Sequence, residues 1–181
     1  MTPVGHTITG LAAAAAVFPS GLSRRRTAAG LAVIVLLANI PDLRIAGWGH
    51  YAYHISHSIF VTGGLIAIAL LGLRVVSMCG GPRVPKYLLV GGAAAWLSHL
   101  LLDTLYAHGH GLAMFWPFSS WALALPVPLF SGLGSCRRVL TLPGLRTVAI
   151  EFLCFSPLLA GVLVIRRILK PKTPVMAGGE I

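Results

Sequence analysis

Only four acidic residues, Asp42, Asp103, Glu151 and Glu180, occur among 181 residues, against seven histidines. Two of the acids stand beside histidines at the ends of apolar segments. His99 and Asp103 are four residues apart, a spacing that puts both side chains on one helix face, about 5–6 Å apart at their Cβ atoms. One cation could bind both. Asp42 follows Asn39-Ile40-Pro41, and the proline stops regular helix hydrogen bonding and presents the carboxylate at a segment end. His54 and His57 are three apart in His54-Ile55-Ser56-His57-Ser58, and His6 precedes the first apolar run. Imidazole mixed with carboxylate is the ligand set expected for zinc or another divalent transition metal.

Taken singly, each residue has a structural explanation. His6 could cap a helix, Asp42 could be a turn acid, and a His-Asp pair at i,i+4 could be a buried hydrogen bond. Taken together, the use of nearly every acid beside a histidine points to metal ligation by His6, Asp42, His57, His99 and Asp103. His50, His108 and His110 lie beside glycines and carry less weight. Glu151, among Ala149, Ile150, Phe152 and Leu153, is costly at membrane depth unless paired. It pairs either with Arg146 or with the polar site.

The elements that must position these residues are apolar. The chain is 56% hydrophobic and 10% charged, with a mean hydropathy of +0.85, far from the roughly 25% charged residues of a soluble domain. Five apolar segments stand out, at residues 7–19, 27–41, 57–77, 87–106 and 147–166. The last three approach the twenty or so residues that cross a bilayer, while the first two are short. The expectation is an all-α, multi-span membrane protein of about five apolar helices, with a Pro/Gly-rich connection over 107–146 before the last. A short or re-entrant helix near 121–130 is an option within that connection. Residues 1–170 form one helical membrane domain, and 171–181 a flexible tail. The start lacks a basic n-region, so the first helix is retained and not cleaved as a signal peptide.

The net charge of +10 is gathered in short clusters between apolar runs, with no aromatic interleaving, so nucleic acid is not an expected partner. Arg24, Arg25 and Arg26, then Arg74, Arg83 and Lys86, then the C-terminal group read as cytoplasmic span flanks. Arg137, Arg138 and Arg146 count against that orientation. With alternating crossings, His6 starts segment one, Asp42 ends two, His57 starts three, and His99 with Asp103 ends four. All five then fall at one face, the non-cytoplasmic one. Cys79, Cys136 and Cys154 show neither CxxC nor metal-ligand spacing. Trp116-Pro117-Phe118 either lines an entrance or anchors at the interface, where aromatic residues gather.

These motifs resemble those of the YdjM-like family of inner-membrane, metal-dependent hydrolases: an N-terminal His (His6), Pro-Asp (Pro41-Asp42), Ser/Thr-His-Ser (Ser56-His57-Ser58), an HxxxD helix (His99 and Asp103) and Trp-Pro (Trp116-Pro117). The resemblance covers roughly residues 1–120. That family is in turn similar to the zinc-dependent phospholipase C and single-strand nuclease superfamily. The resemblance implies Asp42, His57, His99 and Asp103 as ligands, with His6 at a neighbouring ion. Leu43-Arg44 replaces the second acid that often follows Pro-Asp, Tyr53-His54-Ile55 replaces the usual His-Arg-Gly, and no HxxxE helix is present. These departures argue against a three-ion cluster. The expected function is hydrolysis of an ester or phosphoester in an amphipathic substrate, such as a phospholipid. One or two zinc ions, or another divalent metal, would activate water, with Asp42 or Asp103 as base. The alternative is a non-catalytic membrane protein using the cluster for structural metal binding or ion transport. Lipids are the expected partners, and the sequence leaves the oligomeric state open.

Overall fold

The computed structural model describes residues 2–49, 52–107, 111–125, 130–131 and 141–169. The 171–181 tail, His50, His108, His110, Arg137 and Arg138 lie outside them. Among the described residues six α-helices carry the fold: α1 (Pro3–Val17), α2 (Arg24–Asn39), the short α3 (Tyr53–Ser56), α4 (Ile59–Met78), α5 (Lys86–Asp103) and α6 (Leu142–Leu169). The fold is helical, as the composition demands. The described strands are two-residue pieces, β1 (Tyr106–Ala107) and β2 (Phe130–Ser131), paired in parallel. Residues 121–125 are not helical, and Leu123 instead bridges Leu112.

Local chemistry sets the helix starts. The Thr2 hydroxyl accepts from Val4 N–H at 3.3 Å, with Pro3 in the first turn of α1, where its missing N–H costs nothing. Ser23 accepts from Arg26 N–H at 3.4 Å at the start of α2. Ser58 accepts from Phe60 and Val61 N–H at 3.2 and 3.3 Å at the start of α4. At the far end of α2, Pro41 turns the chain into a single 3-10 turn, Ile40–Asp42. At the far end of α4, Gly80 takes the left-handed φ of 82° that ends a helix.

Among the described residues, two helices are long and apolar enough to cross a membrane, α4 with 20 residues and α6 with 28. This corrects the expectation of about five spans. α1, at 15 residues, rises only about 22 Å against a hydrocarbon core of about 30 Å. α2 begins with three arginines and ends in asparagine. α5 is long enough, but Lys86, Ser98, His99 and Asp103 dilute its apolar character. Ile68 and Leu71 of α4 and Leu153 and Ile168 of α6 are exposed, as lipid-facing side chains would be.

α1 is the central helix, flanked by α2, α5 and α6, while α4 lies at the edge along α5. The core between α1, α2 and α5 is Ala14, Phe18, Ile34, Ala38 and Ala95. Small residues let the backbones approach, as membrane bundles require without a hydrophobic drive between helices. A Cβ added at Gly10 would stand 2.9 Å from the Ala38 Cβ. Gly10→Leu is therefore expected to destabilise the α1–α2 contact by about 1–3 kcal/mol, read as a lower midpoint of thermal unfolding in detergent. Gly63→Ala on α4, where a Cβ meets nothing within 4 Å, should leave the midpoint unchanged.

Helix directions give the bundle two chemically different ends. Glu151 of α6 meets Thr2 and Gly5, and Arg166 meets Ala15 and Phe18, so α6 runs parallel to α1. Phe18 packs on Tyr87, and His6 stacks on His99, so α5 runs antiparallel to α1. His6, His99 and Asp103 therefore share one end of the bundle. Lys86, Arg166 and Arg167 share the other, together with Arg24, Arg25 and Arg26 at the start of α2.

Candidate metal centre

Four elements contribute five residues to the histidine end. α1 supplies His6 from its first turns, the 3-10 turn after α2 supplies Asp42, and the residue capping α3 is His57. The last two turns of α5 supply His99 and Asp103. His6, His57 and His99 are fully buried, and so essentially is Asp103, while the Asp42 side chain keeps 14% of its exposure. His6, Asp42, His99 and Asp103 offer ligand atoms that all lie within 4.8 Å of one another.

His57 completes a tighter set. Its Nε2 lies 3.1 Å from His99 Nε2, 3.0 Å from Asp103 Oδ2 and 3.5 Å from Asp42 Oδ1. His99 Nε2 lies 3.5 Å from the same Asp103 oxygen and 3.8 Å from the same Asp42 oxygen. Ligands around a tetrahedral ion with bonds of about 2.0–2.1 Å stand about 3.3 Å apart, so these spacings fit a divalent cation. His6 Nε2 addresses the opposite oxygens, 3.4 Å from Asp103 Oδ1 and 3.7 Å from Asp42 Oδ2. Both carboxylates thus face His57 and His99 with one oxygen and His6 with the other, an arrangement suited to two neighbouring ions.

Two further observations support the fit. The His99 Nδ1–H donates to the Ala38 carbonyl at 2.8 Å, and His57 Nδ1 faces the Tyr53 carbonyl at 3.1 Å and the Ser56 hydroxyl at 2.8 Å. A carbonyl only accepts, so both Nδ1 atoms carry the proton and both Nε2 lone pairs point inward. Two lone pairs 3.1 Å apart require positive charge between or beside them. His6 presents the same demand differently: it is buried with neither ring nitrogen hydrogen-bonded, a costly state that a cation at Nε2 relieves.

The electrostatics agree. Burial pushes the Asp42 carboxyl up, but the hydrogen bond from His57 and the neighbouring His99 and His6 imidazoles outweigh it and hold it at about 2. Burial works against a charged His57, yet the Asp103 and Asp42 carboxylates raise its pKa above the ordinary value. Without metal, a proton answers the demand for positive charge.

Tyr53 is a member of the site that the ligand pattern did not reveal. Its hydroxyl donates to Asp103 Oδ2 at 3.0 Å, and its ring stacks on His57 with centroids 3.8 Å apart. Burial first, and then the Asp103 charge, raise its phenol pKa, so it stays a neutral donor. Its signal was the spacing to His57, four residues on, which puts both on one face of a short helix. Ser58, besides capping α4, donates to the Trp116 carbonyl. This ties the Trp116-Pro117 loop to the site, with a cis bond between those two residues. His54 is exposed and packs edge-on against Trp116, 5.2 Å between ring centroids, and it takes no part in the cluster.

Among the described residues, Glu151 joins neither Arg146 nor the His/Asp cluster. Fully buried, it accepts from Thr2 N–H at 2.9 Å, Gly5 N–H at 3.2 Å, the Tyr106 hydroxyl at 2.5 Å and the Thr2 hydroxyl. A carboxylate from another helix thus caps the N-terminus of α1, where the macrodipole favours negative charge. It holds the turn from which His6 projects.

The model of the YdjM inner membrane protein family matches residues 1–170. The chain belongs to that family. The match extends beyond the motif-bearing 1–120 stretch to include α6, and so the Glu151 that orients α1 in this YdjM family member. Membership places the chain in the inner membrane, consistent with the two apolar helices. Neither a curated protein nor a solved structure matches it.

Proposed function

We propose that this YdjM family member is a membrane-embedded, metal-dependent hydrolase. Its centre would lie at the non-cytoplasmic edge of the bilayer and act on an ester or phosphoester of an amphipathic substrate such as a phospholipid. The observation that carries this reading is the convergence of three inward-facing imidazoles and two shared carboxylates at spacings that fit a divalent cation. His57, His99, Asp42 and Asp103 would hold the first ion, and His6 with the remaining carboxylate oxygens a second. Zinc suits the nitrogen and oxygen donors and, when bound, supplies Lewis acidity toward the scissile group and toward water.

The chain's own residues have separable parts. Asp103, buried and tied by Tyr53, keeps a fixed orientation. Asp42, partly exposed, is the carboxylate an incoming molecule meets, and we assign it to take up the proton through the oxygen that a single bound ion would leave free. A bound divalent ion would supply the acidity of the attacking water. The backbone carbonyls of Ala38 and Tyr53 hold the imidazoles in the ligating tautomer.

The near-complete burial of the other four ligands favours a second reading, structural metal binding or ion passage without turnover. Assay of the zinc-loaded, detergent-purified protein against fluorogenic phospholipid esters and phosphodiesters separates the two. Hydrolysis that stops on chelation and falls about 100-fold or more in Asp42→Asn is the result expected of an enzyme. Stoichiometric zinc without turnover on either ester class would favour the second reading.

A further inference from the structure

At the end of the bundle remote from the histidines, α1, α2 and α6 leave a groove of about 620 Å³. Leu11, Leu31, Leu159 and Leu163 wall it, and Arg166 and Arg167 stand at one end. Because α1 and α6 run parallel, this groove has a direction. Leu11 and Leu159 lie toward the middle of the helices, while Phe18 and Arg167 lie at their ends. From Leu159 to Arg167 is eight residues, about 12 Å along the helix. α6 is one of the two membrane-length helices, so the groove runs with the lipid chains and ends where headgroups lie.

Its cationic end is built for a particular partner. Arg166 is engaged, donating to the Ala15 carbonyl at 2.6 Å and to the Phe18 carbonyl, which caps α1. Arg167 is exposed and lines the same opening, and exposed Arg24, Arg25 and Arg26 immediately precede Thr27, another lining residue. None of the described acids, Asp42, Asp103 and Glu151, lines this groove. An apolar trough ending in guanidinium groups that meet no carboxylate among the described residues is complementary to a hydrocarbon chain carrying an anionic head.

We infer that this groove binds an anionic phospholipid, its acyl chain along the leucine walls and its phosphate against Arg167 and the arginine cluster that opens α2. The site is separate from the metal centre, since Ala15 is nine residues beyond His6, about 14 Å along α1. It stands whether or not the metal centre hydrolyses anything.

Native mass spectrometry of the full-length protein tests this, using mixed micelles with equal amounts of phosphatidylglycerol and phosphatidylcholine. The wild type is expected to retain phosphatidylglycerol in preference. Arg167→Gln should reduce that preference about five-fold, and Ala15→Phe, which fills the groove without changing charge, should lower retention of both lipids. Metal content should be unchanged in each variant. Equal retention of the two lipids by the wild type would overturn the inference, as would a preference that survives Arg167→Gln combined with Arg25→Gln. Arg167 and Arg25 are exposed, so that pair decides the matter even if Ala15→Phe fails to fold.

Discussion

Replacing His99 or Asp103 with alanine is expected to strip the protein of its metal. His99 faces His57 at 3.1 Å and stacks on His6 with centroids 3.6 Å apart. Asp103 approaches all three imidazoles and accepts the Tyr53 hydroxyl. Outer-shell changes alone cost 10- to 100-fold in metal affinity, so loss of a ligand should cost at least about 100-fold. Elemental analysis after detergent purification should fall from about one or two ions per chain to near zero in both variants. His54→Ala, which alters an exposed side chain outside the cluster, should keep the wild-type content. Wild-type metal in both His99→Ala and Asp103→Ala would remove these residues from the ligand set.

Glu151→Ala should have the largest effect on stability. It deletes the acceptor for two backbone N–H groups at the start of α1 and for the Thr2 and Tyr106 hydroxyls, all in a buried setting. Each buried donor left unsatisfied costs about 1–3 kcal/mol, so the total should exceed about 3 kcal/mol. That corresponds to a fall in thermal midpoint on the order of 10 °C. Arg146→Ala should be close to neutral, because no bond of Glu151 among the described residues goes to Arg146. A midpoint unchanged by Glu151→Ala would show that α1 is held by packing alone, whereas a large loss in Arg146→Ala would restore the ion pair expected from sequence.

The candidate cluster was legible because the chain is so poor in acids and because each candidate stands at a segment end. Alternating helix directions bring such ends together, and the structure places His6, Asp42, His57, His99 and Asp103 in one cluster. The shared use of both oxygens of Asp42 and Asp103 was not legible, since it depends on side-chain rotamers that spacing does not encode. Glu151 was recognisable as a costly buried carboxylate. Its partner was not, because the capped N–H groups belong to backbone almost the whole chain away. The number of spans was over-read from hydropathy. Apolar runs in α1 and α2 serve helix-to-helix packing as much as lipid contact: Ala14, Ile34 and Ala38 are completely buried, whereas α4 and α6 turn their large apolar side chains outward. The option of a short helix over 121–130 does not hold for its described first half, 121–125, where Leu123 bridges Leu112 instead.

The most direct test of the central claim is X-ray absorption at the metal edge of the purified, metal-replete protein. The account predicts a first shell of nitrogen and oxygen at about 2.0–2.1 Å with imidazole scattering and no sulfur, altered in His57→Ala. A shell containing sulfur, or one made of water alone and indifferent to His57→Ala, would contradict it.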